Sequence, residues 1–363
     1  MVSAAALLCA VALVLVDQAV GLRVAALRSA RLPALSAAGV ATGDKGQWEL
    51  SLRSPCKLNF FLRILGRRPM GFHDLASLFQ AISLSDYMYF TKLPSGATED
   101  VLTCSDKSLS VDKSNLVIKA LDLMRRKTGK SAFFKVHLEK IVPMQAGLGG
   151  GSGNAATAMF AFNSLTGLGA SNDQLKEWSG DIGSDITFFF STGTAYCTGR
   201  GEVVEPLPPL PFADETLIHV FKPAEGLSTA LVFKALDLGK VSQINADSLL
   251  DCFESNGAIK AAEDGRLVND LEPPAFACAP SLKALKSRIE KIKAYKGVMM
   301  SGSGTSIYAV LPKTHSKEAS QLVAGVLQDY PNVQHFSCQL INKPDRADAW
   351  FSDLDYASSN EQY

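Results

Sequence analysis

Residues 143–157 read PMQAGLGGGSGNAAT, with five glycines between positions 147 and 153. Before this run, Phe134, Val136 and Leu138 alternate with polar residues, which predicts a strand over residues 133–139. After it, Ala155, Ala156, Ala158, Met159 and Phe162 are small or apolar packing positions and predict a helix over residues 154–165. The glycines therefore sit at a strand-to-helix junction. Glycine lets a backbone take positive φ and approach a bulky anion closely. The free N–H groups of such a loop and of the first helical turn point at that anion, and the helix dipole adds to the attraction. Pro143, Met144, Gln145, Ala146, Gly147, Leu148, Gly149, Gly150, Gly151, Ser152 and Gly153 are thus candidates for holding a polyphosphate, a triphosphate above all. The alternative is a plain flexible turn, which would cost chain entropy without a guest to offset it.

Spacing excludes two familiar phosphate loops. A Walker loop needs Gly-Lys-Ser/Thr, and residues 143–153 contain no lysine. The dinucleotide fingerprint needs glycines at first, third and sixth positions; the sixth position is Ser152 counted from Gly147 and Asn154 counted from Gly149. Lys plus Arg and Asp plus Glu number 36 each, so formal net charge is zero and nucleic acid is not the expected partner. The seven cysteines form no CxxC pair and no finger-like spacing with histidine, which argues against structural zinc and against a disulfide framework.

Working outward, Leu50, Leu52, Leu58, Phe60 and Leu62 occupy even positions and predict strand pieces with a turn near Ser54-Pro55. Residues 66–73 (GRRPMGFH) carry loop chemistry, and residues 75–84 fit either a strand or a short helix. Helices are expected over residues 115–126 and 173–179, and residues 185–190 enter a buried strand or a helix start. Residues 205–212 (EPLPPLPF) hold four prolines, poor material for helix or strand, and a domain boundary is expected there. Beyond it, strands are expected at 217–221, 298–300 and 307–311, and helices at 228–236, 246–253 and 281–294. The expected organisation is a targeting segment at 1–48, domains at 49–207 and 213–350, and a polar tail at 351–363. Residues 4–16 are thirteen consecutive apolar residues, short for a membrane span but suited to the core of a secretory signal. Residues 22–43 hold Arg23, Arg28 and Arg31, many Ala and Ser, and no acid, as in a transit peptide. Together they predict a plastid, reached through the secretory route if both signals act, and no stable membrane insertion of the mature chain.

The glycine run resembles the ATP loop of the galacto-, homoserine, mevalonate and phosphomevalonate kinase superfamily. Three further stretches, residues 54–79 (SPCKLNFFLRILGRRPMGFHDLASLF), 183–208 (GSDITFFFSTGTAYCTGRGEVVEPLP) and 269–275 (NDLEPPA), resemble the 4-diphosphocytidyl-2-C-methyl-D-erythritol kinase family, and residues 300–310 (MSGSGTSIYAV) are similar to the superfamily's third motif. Three positions depart from the common pattern: Cys56 stands in place of alanine, Gly153 in place of serine and Gln145 in place of glycine. The resemblance implies an α/β (α+β) fold of two domains with the active site in the cleft between them. It implies ATP-dependent phosphorylation of the 2-hydroxyl of 4-diphosphocytidyl-2-C-methyl-D-erythritol, in the methylerythritol phosphate route to isoprenoids. Other readings are a homoserine- or mevalonate-type kinase, or an inactive ATP-binding relative.

The same resemblance makes Asp185 the base that accepts the hydroxyl proton and Lys57 its charged partner. Without it, Asp185 could equally cap a helix and Lys57 could be a surface lysine on an edge. Ser152 is implied as a hydroxyl near Mg²⁺, a role compatible with a plain N-cap, the metal being held largely by phosphates and water. Asn59 would face the substrate, and Phe72, His73 and Phe233 would hold the cytosine of a substrate carrying a cytidine diphosphate group. Phe233 could instead pack in the core of its helix. His137, His219, His315 and His335 show no partner pattern.

Overall fold

In the computed structural model, which describes residues 48–69, 71–342 and 351, the run after Trp48 forms one strand rather than two pieces around a turn. The strands in chain order are β1 (Leu50–Arg67), β2 (His73–Lys92), β3 (Val101–Cys104), β4 (Phe134–Glu139), β5 (Thr194–Gly199), β6 (Val203–Leu207), β7 (Thr216–Pro223), β8 (Val268–Asn269), β9 (Gly297–Met300), β10 (Ile307–Pro312) and β11 (Val333–Gln339). The helices are α1 (Leu116–Thr128), α2 (Gly150–Leu165), α3 (Asn172–Ser179), α4 (Thr229–Lys234), α5 (Ala246–Glu263), α6 (Glu272–Cys278), α7 (Pro280–Ile289) and α8 (Ser316–Asp329). The expected targeting segment and tail lie outside the described residues, except for Trp48 and Phe351 at their edges.

Two sheets organise these elements. The first runs β3-β4-β2-β1-β8, with β5 and then β6 added beside β2. The second runs β11-β7-β10-β9, antiparallel throughout. Apart from β8, the strands of the first sheet end at Leu207 and those of the second begin at Thr216, on either side of the remaining prolines. One departure from expectation lies here: Glu205, Pro206 and Leu207 do belong to a strand. β6 pairs only with β5, so Pro206 lacks no interior ladder bond, and an edge strand is where proline is tolerated.

The break at Ser54-Pro55 is real, but it is a register shift and not a turn. Pro55 pairs with Ser85 and Cys56 with Ile82, so Ser83 and Leu84 of β2 have no counterpart on β1. Up to this point even-numbered Leu50 and Leu52 enter the core shared with α1 and α2. Beyond it even-numbered Cys56, Leu58 and Phe60 enter the core shared with the second sheet and α5. The odd residues Lys57 and Asn59, paired with Ala81 and Phe79, thereby come onto the α2 side. A lysine in an apolar run is thus carried into the interior by a shift in pleat parity.

Helix α1 shows why its sequence starts and stops where it does. The Asn115 side chain accepts from the N–H of Val117, Arg125, Arg126 and Lys127 occupy the last turn, and Gly129 closes it at φ 68°. A third core joins the outer face of the second sheet to α6, α7 and α8. Among the described residues no helix is long and apolar enough to cross a membrane.

Strands β7 and β11 set buried His219 beside half-buried His335, ring centroids 4.7 Å apart, with His219 Nδ1 2.9 Å from the Tyr295 hydroxyl. Burial, reinforced for His219 by its neighbour, pulls both imidazoles down to about 4. Between pH 6.5 and 4 the unfolded chain binds protons that the folded chain does not, so stability is lost as pH falls through that window. We expect about 1.4 kcal/mol per pH unit for each imidazole. Urea unfolding at pH 7, 6 and 5 should show this slope, and His335→Phe should make it shallower.

Candidate active site

A cavity of about 1020 Å³ opens where the glycine loop, β1, the turn before Phe188 and the Gly302–Gly304 loop meet. That exceeds the usual few hundred to 1,000 Å³ of a single-ligand site and can hold two substrates at once. One wall is the loop from Pro143 to Ser152 with the start of α2. The helix begins at Gly150, four residues before the expected start. Its N-cap is Gly149 at φ 66° with no side-chain cap bond, so Ser152 is not the cap and the first-turn N–H groups are left for a ligand. Ser152 lies in that first turn and lines the cavity.

Several of these glycines answer a close contact. A Cβ on Gly147, at φ 73°, would lie 2.0 Å from the Ser301 carbonyl oxygen, and one on Gly149 would lie 3.1 Å from Lys57 Cγ. A Cβ on Gly153 would lie 2.4 Å from the Pro55 carbonyl oxygen. Gly153 is therefore a packing residue facing β1, buried away from the cavity, and a serine there would need β1 to move. Gln145 lines the cavity at φ 49° and packs against Gly226.

The loop is held at both ends by Asp86, a fully buried carboxylate. Its Oδ1 accepts from the N–H groups of Ile141 and Val142, each at 2.7 Å. Its Oδ2 accepts from Lys140 Nζ at 2.6 Å and from the Asn154 amide at 2.9 Å. The Gly302–Gly304 loop then presses on the glycine loop, with the Ser306 N–H donating to Ala146 O and the Ser301 hydroxyl to Gly147 O. The segment at 269–275 braces that second loop. Asn269 donates from its amide to the carbonyls of Met300 and Gly302, and Glu272 accepts from the Met300 N–H.

Lys57 and Asp185 meet at the floor, Nζ to Oδ2 3.5 Å. Lys57 is 4% exposed and Asp185 is 38% exposed, so the lysine is locked in the protein while the carboxylate faces the cavity. Lys57 also donates to Asn59 Oδ1 at 2.7 Å and lies 4.3 Å from the centre of the Phe79 ring. Asn59 donates in turn to Ser77 Oγ. The Lys57 N–H donates to Leu148 O, which ties β1 to the glycine loop. Lys57 is neither exposed nor on an edge strand. Asp185 sits in the first turn of the 3-10 helix Ser184–Phe190, whose cap is Gly183, with no side-chain cap bond.

At the far end His73 stacks on Phe233, centroids 5.2 Å apart and planes 27° apart. Phe233 is half-buried, packs against the third core and lines the cavity, so its two readings coexist. Burial, then the nearby Arg67, lowers His73 below its usual value; the ring is neutral at pH 7, with one donor and one acceptor. His73 meets the cavity only through Phe233, since neither it nor Phe72 is among the lining side chains; Phe72 is 52% exposed and lies under the Arg200 guanidinium at 5.1 Å. Arg200, Lys140 and the segment Ser108–Ser114 line the cavity without having carried a sequence signal of a site, and Asp86, behind the loop, carried none either. Among the described residues no three His, Cys, Asp or Glu side chains gather to hold a metal.

The kinase family models match on both sides of this cavity, GHMP kinases N terminal domain at residues 115–193 and GHMP kinases C terminal at residues 250–329. The chain is 52% identical to the chloroplastic 4-diphosphocytidyl-2-C-methyl-D-erythritol kinase of Arabidopsis thaliana, over 72% of this chain and 67% of that protein. It is 41% identical to the 4-diphosphocytidyl-2-C-methyl-D-erythritol kinase of Protochlamydia amoebophila, over 85% of this chain and 94% of that protein. The chain belongs to the 4-diphosphocytidyl-2-C-methyl-D-erythritol kinase family. A crystal structure of 4-(cytidine 5'-diphospho)-2C-methyl-D-erythritol kinase superposes with TM-score 0.62 at 26% identity, covering 80% of this chain and 99% of that one. The fold is accordingly the mixed α/β kinase fold of this family, with the cavity between its two sheets.

The Asp86 clamp has a measurable consequence. Asp86→Asn leaves Lys140 buried without its partner charge, which costs about 3–5 kcal/mol. Denaturant unfolding should register that loss, and the ATP KM should rise with it.

Proposed function

We propose that this cavity phosphorylates the 2-hydroxyl of 4-diphosphocytidyl-2-C-methyl-D-erythritol with ATP as co-substrate, a step of isoprenoid biosynthesis in the plastid. The observation that carries the reading is the Lys57–Asp185 pair at 3.5 Å beside an uncapped glycine-rich helix start. The same reading assigns residues 1–48 to targeting, 49–207 to the ATP-binding half, 213–350 to the second half and 351–363 to the tail.

The N–H groups of residues 144–152, which include the first turn of α2, hold the ATP phosphates, while Gly153 gives its N–H to the Gly149 carbonyl and serves by packing against β1. Asp185 accepts the hydroxyl proton of the acceptor as its oxygen bonds to the γ-phosphorus of ATP and the bond from that phosphorus to the bridging β-phosphate oxygen breaks, releasing ADP. Lys57, fixed by Asn59 and Phe79, keeps Asp185 oriented and offsets charge building at the transferred phosphoryl group. Phosphoryl transfer is mostly positioning and charge stabilisation, and a rigid buried lysine suits that task. Mg²⁺ fits the donors present: the Ser152 hydroxyl in the first turn and the half-exposed Asp185 are enough for an ion that keeps phosphate and water ligands. When bound, it neutralises the β- and γ-phosphates. His73 and Phe233 hold the cytosine, the ring faces by stacking and the neutral imidazole by hydrogen bonding at the base edge.

Asp185→Asn should retain ATP binding and lower kcat by about 10²-fold or more, the scale of lost general-base help. Near-normal turnover would remove Asp185 from the mechanism. Phe233→Ala should weaken the acceptor by about 1–3 kcal/mol, as for a base stacked on an aromatic ring. Steady-state kinetics should show that loss in the acceptor KM alone, and an acceptor without the base should be indifferent to the substitution.

A further inference from the structure

We infer that Arg200 binds the diphosphate of the acceptor. This rests on the function proposed above and adds a residue to it. Among the described residues three basic side chains line the cavity, Lys57, Lys140 and Arg200. Two are committed inside the protein. Lys57 is held by Asp185 and Asn59, and Lys140 by Asp86 and the Val142 carbonyl. Arg200 is different: its side chain is 39% exposed and its ionic neighbour is Glu202, with Nε 3.5 Å from Oε1. The glycine loop supplies backbone donors for one polyphosphate. The acceptor brings a second, and Arg200 is the cation left to meet it.

Position supports the same assignment. In the acceptor the diphosphate lies between the reacting polyol and the cytidine. The polyol end is at Asp185 and the base end at His73 and Phe233. Arg200 bridges these two places. On one side its guanidinium lies 5.1 Å over the ring of Phe72, the chain neighbour of His73. On the other, a Cβ on Gly201 would sit 3.6 Å from Asp185 Oδ1. Gly199 and Gly201, at φ 71° and 105°, turn the chain there, and the Arg200 N–H donates to the Glu202 carboxylate. The residue is pinned at its backbone and exposed at its tip. A planar guanidinium matches two phosphate oxygens at once, and the ring of Phe72 orients it by a cation–π contact. Phe72 thereby serves the acceptor through Arg200, although its own ring stands outside the cavity.

The test compares Arg200→Gln and Arg200→Lys with the unmutated enzyme, using CDP and cytidine as inhibitors competing with the acceptor. In the unmutated enzyme CDP should bind more tightly than cytidine. In Arg200→Gln the acceptor KM should rise about tenfold or more, the scale of a charged hydrogen bond, with the ATP KM unchanged. The preference for CDP over cytidine should collapse in Arg200→Gln and partly return in Arg200→Lys. An unchanged preference in Arg200→Gln would overturn the inference, as would a fall in kcat alone, which would put the guanidinium on the transferred phosphoryl group. If Arg200→Gln does not fold, Arg200→Lys decides: the loss of its fork must weaken CDP several-fold and leave cytidine unaffected. Failure of the unmutated enzyme to phosphorylate the cytidylated acceptor would instead sink the proposed function. Direct CDP and cytidine binding would still decide the role of Arg200.

Discussion

A carboxylate with no contact to solvent, Asp86, sets the shape of the glycine loop. Glycines have no side chains with which to anchor themselves, so such a loop is only as ordered as its ends. Asp86 grips the entering backbone at Ile141 and Val142 and the leaving helix at Asn154, and Lys140 cancels its charge. Asn154 also donates to Ser54, which brings β1 into the same cluster. From there the order passes outward. The loop fixes the Lys57 backbone through Leu148, and Lys57 fixes the orientation of Asp185. The Lys57–Asp185 pair is thus several contacts removed from the group that determines where it stands.

Much of this was legible in the chain and some was not. The glycine loop between a strand and a helix was, because an alternating run and a small-residue run flank its five glycines. The helix at 116–128 was, because Asn115, the basic last turn and Gly129 are local signals. The start of α2 was read four residues late because a helix capped by glycine carries no side-chain mark of its beginning. The strand after residue 49 was broken into pieces because the pattern on β1 alone hides its cause. The two residues that shift the register, Ser83 and Leu84, belong to β2. Strands β3, β5, β6, β8 and β11 and helices α6 and α8 were not anticipated. Short strands with prolines or mixed polarity look like loops until a neighbour pairs with them.

The site divides along the same line. Lys57 and Asp185 stood out through their resemblance to a family motif, and a charge in an apolar run is a visible anomaly. Gly153 was grouped with its neighbouring glycines, yet its reason is the Pro55 carbonyl, a contact 98 residues away in the chain. Phe72 and His73 are adjacent in sequence but diverge in space, as successive residues entering a strand must. His73 faces Phe233 and Phe72 faces Arg200.

The short strand β8 comes from the second half of the chain yet pairs with β1 in the first sheet. Next to it Asp270 accepts from Arg63 and from the Ile64 N–H, and donates its own N–H to Leu62, all within the protein interior. Breaking a buried pair of this kind costs several kcal/mol, so the strand acts as a rivet through both layers. A riveted cleft cannot gape like a clamshell to admit its substrates. Entry and exit are left to the rim, where single turns can shift without disturbing the sheets.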